Sequence, residues 1–240
     1  MRTTSFRVGS NCLLDAGTGV ADLSVAELAQ IDHVFLTHAH LDHIAMLPLL
    51  VDTVGSMRDR PLQVYATSAT LDILRRHVFN WLVWPDFSEI PDRANPYLRF
   101  VPFELGEQLS LDSGLTVTAL PALHTVPAVG YRLDSGRSSL VFSGDTTVND
   151  EFWPLVNDID NLRHLIIETA FCNREYELAV LSKHLCPSML ATELSRLQRR
   201  AEVWVTHLKP GEIELTMQEI GRDAAAYHPR MLKNGQILEF

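Results

Sequence analysis

Cysteine is scarce in this chain: Cys12, Cys172 and Cys186 are the only three in 240 residues, and none forms a Cys-x-x-Cys pair. That excludes a disulfide framework and a thiolate zinc site, and it points to a reducing, cytoplasmic compartment. Long apolar runs are missing as well, so no stretch reaches the roughly 20 residues that a membrane-spanning helix needs. The opening Met1-Arg2-Thr3-Thr4-Ser5 lacks the apolar core of a signal peptide, which agrees with a cytoplasmic protein and no membrane partner. Basic charge is in deficit, with 20 Lys+Arg against 30 Asp+Glu and a net charge of −10. A protein that grips nucleic acid through its phosphates normally carries a basic stripe, so nucleic acid is not the expected partner. The pairs Arg75-Arg76 and Arg199-Arg200 fall in helical patterns and read as solvated faces. Low-complexity tracts, long linkers and short repeats are also lacking, which leaves one globular domain over residues 1–240.

What is present is an alternation of short β-rich runs and helical patterns. Strands are expected at Phe6 to Leu14, His33 to Leu36, Leu62 to Tyr65, Leu98 to Phe103, Leu115 to Leu120, Ser139 to Phe142, His164 to Ile167 and Glu202 to Val205. A last short strand, Ile237-Leu238, is expected after the Asn234-Gly235 turn. One helix opens near Pro48 and closes at Gly55, and a second is capped by Thr67 or Ser68. Pro187 opens a third, and Thr216-Met217-Gln218-Glu219 reads as a capping box before a fourth.

The chemistry gathers where strands end. The apolar run Val34-Phe35-Leu36 leads into Thr37-His38-Ala39-His40-Leu41-Asp42-His43, four candidate ligands in six residues. His38 and His40, two apart in extended chain, project from one side. Asp42 and His43 follow as the chain turns, so they can address a second point nearby. One tetrahedral shell does not easily use all four, and the spacing reads as two adjacent metals. A weaker form of the pattern recurs downstream. Apolar strands finish in His124, Asp145, Glu168 and His207, and Gly144 before Asp145 permits close backbone approach. Any one of these alone would be an ordinary turn residue. His33, His77, His164 and His228 have no ligand partner in sequence and read as structural.

His38-Ala39-His40-Leu41-Asp42-His43 followed by His124, Asp145 and His207 resembles the binuclear metallo-β-lactamase fold, and Leu14-Asp15-Ala16-Gly17-Thr18 matches the Asp-containing turn before the motif. The resemblance implies an α/β fold, an αββα four-layer sandwich. It also implies that His38, His40 and His124 hold one divalent ion, that Asp42, His43 and His207 hold the other, and that Asp145 bridges both. The superfamily's usual first strand and Gly-rich turn have no counterpart before Arg2, which leaves either an upstream start or a sheet without its first edge strand. Within the superfamily the chain resembles the class II 3′,5′-cyclic-nucleotide phosphodiesterases. Leu41, the segment His77 to Phe87 and the segment Ser182 to Pro187 carry that likeness. Met46, Pro48 and Val51 depart from that family's pattern, and they touch the substrate rather than the metal set.

The resemblance implies hydrolysis of a 3′,5′-cyclic nucleotide (cAMP or cGMP) to a 5′-nucleotide by a metal-bridging hydroxide, with Asp42 both ligand and orienting group. N and O donors suit zinc, and also manganese or iron. His184 is the candidate proton donor to the leaving oxygen, with Glu168 fixing its tautomer, a pair that resembles one in ribonuclease Z. The plainer readings are a capping or core histidine and a buried paired carboxylate. Phe79, Trp81, Trp84 and Phe87 offer a stacking platform, a lid or a homodimer contact, and core packing is the commoner use of such residues. Pro85 is expected to end the helix in which the cluster begins. A ribonuclease Z-like nuclease and a carbon ester, thioester or lactone hydrolase use the same metal cage. A metal-binding domain without turnover belongs to a different class, but inactive relatives usually lose ligands, and here all seven candidates are present.

Overall fold

The computed structural model describes residues 2–240, and the chain divides into two compact units, Met1–Glu104 and Leu105–Phe240. Both combine a sheet with helices, so the chain has the mixed α/β, two-sheet composition expected of it. Among the described residues no helix is long and apolar enough to cross a membrane.

The first unit contains β1 (Phe6–Val8), β2 (Cys12–Leu14), α1 (Val25–Leu28), β3 (His33–Phe35), α2 (Leu41–Ile44), α3 (Leu47–Val54), β4 (Leu62–Ala66), α4 (Ser68–His77) and β5 (Leu98–Pro102). Its strands lie in the order β1-β2-β3-β4-β5. β1 and β2 are antiparallel, and the rest run parallel, with Leu14 opposite Phe35 and Phe35 opposite Tyr65. The expected single strand Phe6 to Leu14 is therefore a hairpin. Gly9, at φ 59°, takes the left-handed conformation that reverses the chain. Parallel strands are covered on both faces and read as apolar runs, which is why β2 and β3 were legible. Leu13, Val34, Leu36, Val64, Leu71 and Leu74 form the core, joined from α3 by Leu47, Leu50, Val51 and Val54 at helical spacing. Pro48 stands in the first turn of α3, and the Thr67 side chain accepts a hydrogen bond from the Thr70 N–H to cap α4.

The aromatic segment departs from expectation. α4 ends at His77, so Pro85 does not terminate it, and Phe79 and Trp84 form an isolated bridge across a turn. Asn80 Oδ1 accepts from the N–H groups of Leu82 and Val83 and ties that turn together. Phe79 and Phe87 are core residues, while Trp81, Leu82 and Val83 are exposed.

The second unit contains β6 (Gln108–Ser110), β7 (Thr116–Pro121), β8 (Val129–Asp134), β9 (Ser139–Phe142), α5 (Phe152–Asn157), β10 (Leu162–Glu168), α6 (Tyr176–Ser182), α7 (Pro187–Leu194), β11 (Glu202–Thr206), α8 (Ile213–Asp223) and β12 (Arg230–Met231). The order is β12-β11-β10-β9-β8-β7-β6, antiparallel from β6 to β9 and parallel from β9 to β12. As a result β7, β9, β10 and β11 all finish at one edge of the sheet. Val141, Leu165, Ile167, Val203 and Val205 pack beneath Leu190, Leu194 and Ile220.

Two expectations fail here for physical reasons. Thr216 is buried inside α8, and its hydroxyl donates to the Glu212 carbonyl at 2.8 Å, so it back-bonds within the helix and caps nothing. A genuine capping box joins Ser24 and Glu27 at α1. The final strand is Arg230–Met231, before the Asn234-Gly235 turn, because its backbone pairs with Trp204 and Val205; Ile237 is exposed. Replacing Thr67 by Ala should cost about 1 kcal/mol through loss of the α4 cap. Urea unfolding should show it as a lowered midpoint with an unchanged slope.

Candidate metal centre

In the first unit, β2 and β3 run parallel, so their C-terminal ends deliver Asp15 and Thr37 side by side. Asp15 is fully buried at φ 56°. Its Oδ1 accepts from the Thr37 N–H at 2.7 Å, and its Oδ2 accepts from the Thr37 hydroxyl at 2.8 Å and from His43 Nδ1 at 2.6 Å. Thr37 spends its proton on Asp15, so its oxygen receives one from His38 Nδ1 at 2.9 Å. Both rings are thereby fixed in the tautomer that leaves Nε2 as the lone-pair nitrogen. Burial pushes the Asp15 carboxyl up, against the charge and hydrogen bond of His43 and the donors of Thr37.

The candidate ligands of this unit then converge. His38 Nε2 lies 3.1 Å from His40 Nδ1, and His43 Nε2 lies 3.9 Å from Asp42 Oδ2. Ligand distances of roughly 2.0–2.2 Å let one cation span either pair. Gly17 holds the neighbouring turn closed, since a Cβ there would strike the carbonyl oxygens of Asp42 and Thr4.

In the second unit, the strand ends that share one edge deliver His124, Asp145, Glu168 and His207. Gly144, at φ 62°, turns the chain so that Asp145 follows β9. His124 Nδ1 donates to the Lys183 carbonyl at 3.0 Å, and Lys183 Nζ donates back to the His124 carbonyl at 3.0 Å. This clamp depends on Lys183 adopting φ 53° at the end of α6. It leaves Nε2 as the lone-pair atom of His124. One donor atom from each of His124, Asp145 and His184 lies within 4.8 Å of the others, and all three residues are buried. Asp145 Oδ2 is 3.2 Å from His207 Nε2, and the rings of His184 and His207 stack at 5.0 Å.

Glu168 and His184 form a buried pair, with Glu168 Oε1 accepting from His184 Nδ1 at 2.7 Å. Thr146 N–H also donates to Oε1 and Leu185 N–H to Oε2, so the carboxylate is held on both oxygens. Burial pushes the Glu168 carboxyl up to about 7, against the hydrogen bond and charge of His184. Burial alone would lower His184, but the hydrogen bond and charge of Glu168 outweigh it and raise the imidazole. The pair holds one proton between the two groups, on the Nδ1 side.

The sequence-predicted residues thus fall into two groups. The first unit brings together His38, His40, Asp42 and His43, and the second brings together His124, Asp145, Glu168, His184 and His207. The histidines set aside as structural include His164, which donates from Nε2 to the Glu239 carbonyl and accepts from Trp204 Nε1. Sequence reasoning missed the orienting role of Asp15, together with Thr37, Thr146, Lys183 and Lys209. Asp15 had a usable signal, because Leu13-Leu14 is an apolar strand ending in an acid, as Ile166-Ile167 before Glu168 is.

Residues 10–224 match the family described as Beta-lactamase superfamily domain. The chain belongs to the beta-lactamase superfamily. Among the relatives of this superfamily member, a probable 3′,5′-cyclic-nucleotide phosphodiesterase of Yersinia pestis is 28% identical over 204 residues, covering 75% of this chain and 57% of that protein. A nuclear ribonuclease Z of Triticum aestivum is 33% identical over 109 residues, 45% of this chain and 58% of that protein. The chain therefore spans a little over half the length of these curated relatives. In fold it is similar to the metallo-beta-lactamase fold protein YhfI from Bacillus subtilis, with a TM-score of 0.77, 20% identity, and coverage of 99% of this chain and 92% of that one. Unliganded yeast PDE1 gives 0.75 at 21% identity, covering 88% and 69%. The fold implies divalent metal ions. The donors fit them: they are N and O atoms on buried or half-buried side chains, and His38, His43 and His124 have Nδ1 engaged and Nε2 presented.

Replacing Asp15 by Ala removes no candidate ligand but releases both His38 and His43. Zinc affinity should fall by about 10- to 100-fold, the usual loss when a ligand's orienting partner goes. Zinc titration of the variant with a chromogenic chelator as competitor reads the change; wild-type affinity would show that Asp15 does not orient the site.

Proposed function

We propose that this protein is a binuclear metal-dependent phosphodiesterase that hydrolyses 3′,5′-cyclic nucleotides to 5′-nucleotides. What carries the reading is the set of seven N and O ligand candidates, which the family pattern assigns to two ions. His38, His40 and His124 would hold one divalent ion, Asp42, His43 and His207 the other, and Asp145 would bridge them. This assignment needs residues 1–240 to act as one domain, the four-layer sandwich of the superfamily. Zinc suits the donor set, with manganese and iron as the other candidates. The cyclic-nucleotide substrate is supported by the name of the Yersinia pestis relative and by the likeness in His77 to Phe87 and Ser182 to Pro187.

Two divalent ions, when bound, supply a hydroxide at neutral pH and positive charge for the phosphate oxygens. The chain's own residues do the rest. Asp42 orients the attacking water, and His184 gives a proton to the departing 3′ oxygen from Nε2. Glu168 holds His184 Nδ1, so the ring presents the correct nitrogen and its imidazolium form is favoured. A compact nucleotide substrate also agrees with the net charge of −10, since it needs only a local cationic site and no basic stripe. A cytoplasmic location follows from the sparse, buried thiols.

A ribonuclease Z-like activity is the second reading, favoured by the Triticum aestivum relative and by the Glu168–His184 pair. Purified protein loaded with zinc or manganese should convert 3′,5′-cyclic AMP to 5′-AMP, identified by chromatography, and Asp42→Ala, Asp145→Ala or chelation should abolish it. No turnover with both metals bound would sink the cyclic-nucleotide substrate; cleavage of a precursor tRNA instead would select the second reading. His184→Ala should lower kcat by about 10²- to 10⁴-fold with a smaller change in KM. Unchanged kcat in that variant would remove His184 from the chemistry.

A further inference from the structure

Lys209 has no role in the reading above, yet it reaches into the same cluster. The chain leaves β11 at Thr206, takes His207 through φ 64°, and anchors the next turn by a Lys209 N–H bond to the Ala170 carbonyl at 3.0 Å. That path folds the lysine side chain back, and Lys209 Nζ lies 3.0 Å from His207 Nε2. An ammonium group has only protons to give, so here His207 Nε2 accepts. The same Nε2 stands 3.2 Å from Asp145 Oδ2. With its lone pair engaged by lysine, Nε2 cannot also donate to that carboxylate. Two acceptors this close need a shared positive charge, and the Lys209 ammonium supplies one. Its charge also extends to His184, whose protonation it opposes.

We propose that Lys209 is an exchangeable cation of this site: it faces His207 in the metal-free protein and, once a metal ion takes the His207 lone pair, turns its ammonium to a phosphate oxygen of the substrate. This rests on the binuclear phosphodiesterase reading and adds a specificity-determining residue to it. The anchored backbone keeps Nζ within a side chain's length of His207 whichever partner it serves. A phosphoryl dianion or diester oxygen is the ligand class an ammonium group selects as a point charge. The substrate's charge is thereby met by protein as well as by metal, and an uncharged ester gains nothing from it.

The two halves of the exchange predict effects of opposite sign from one substitution. In Lys209→Met the stem length stays and the charge goes, so zinc no longer competes with the ammonium for His207. Its weaker-bound zinc should be held about three- to tenfold more tightly, read by competition with a chelator. Inorganic phosphate should bind the zinc-loaded variant about tenfold or more weakly, read by calorimetry, the usual loss of a charged hydrogen bond. Lys209→Arg, which keeps the charge, should retain most of the phosphate affinity. Unchanged zinc and phosphate binding in Lys209→Met would overturn the proposal while leaving the binuclear reading intact. Weakening of both, shared by Lys209→Arg and accompanied by a lower Tm, would overturn it in favour of a structural lysine. A wild-type protein that takes up no zinc would remove the binuclear reading and this proposal together.

Discussion

The buried carboxylate of Asp15 has four lone-pair directions to satisfy and no water to do it. Burial raises its pKa, so the charged form persists only because Thr37 and His43 supply donors. Each donor is thereby committed. The Thr37 hydroxyl, spent on Asp15, must take a proton from His38, and His43 must carry its own proton on Nδ1. One electrostatic requirement thus sets the tautomers of two imidazoles that are candidate metal ligands. The parallel pairing of β2 with β3 exists upstream of this, because it is what places Asp15 beside Thr37. Moving either strand by one residue would turn one of these side chains to the other face and undo both orientations.

The second unit solves the same problem with different atoms. His124 is oriented by a backbone carbonyl, that of Lys183, and His184 by a carboxylate, that of Glu168. Both orienting groups depend on the short stretch after α6, where left-handed Lys183 ends the helix and aims its carbonyl at His124 while presenting His184 to Glu168. Positive φ in a non-glycine residue costs on the order of 1–3 kcal/mol for bulky side chains and less for Asp. Among the described residues five non-glycines pay it, and Asp15, Lys183 and His207 are three of them. Strain of this kind persists where surrounding contacts over-determine the backbone, and here those contacts are the hydrogen bonds that fix the ligand candidates.

How much of this was legible follows from what a sequence pattern can encode. The apolar strands ending in His or acid were readable because buried parallel strands are continuous apolar runs, and the residue after each stands out by contrast. The His38 to His43 run was readable because its spacing alone implies two ligand directions. β8 was missed because Gly130 and Arg132 interrupt its apolar residues, and β6 because it offers one apolar residue on an exposed edge. The hydroxyl of Thr216 shows the converse error: the capping-box letters were present, but the helix had begun three residues earlier at Ile213. Lys183 was illegible because its contribution is a carbonyl and a backbone angle, neither of which has a letter. Lys209 was passed over because a single lysine in a turn is ordinarily a solvated charge.

These points bear on why an acidic chain can serve an anionic substrate. A net charge of −10 is a far-field property, screened over about 8–10 Å at ordinary ionic strength. What a phosphate meets at contact is the local arrangement, and in the second unit the buried acids are each already answered: Glu168 by His184 and two backbone N–H groups, and Glu193 by Trp153 Nε1, the Asn149 N–H and Arg196. Neutralised carboxylates do not repel an approaching anion as bare ones would. A half-buried ammonium beside His207, and the divalent ions implied by the ligand set, then determine the sign of the field where the chemistry takes place. The acidic surface and the cationic centre are separate features of the molecule, and only the second one selects the substrate.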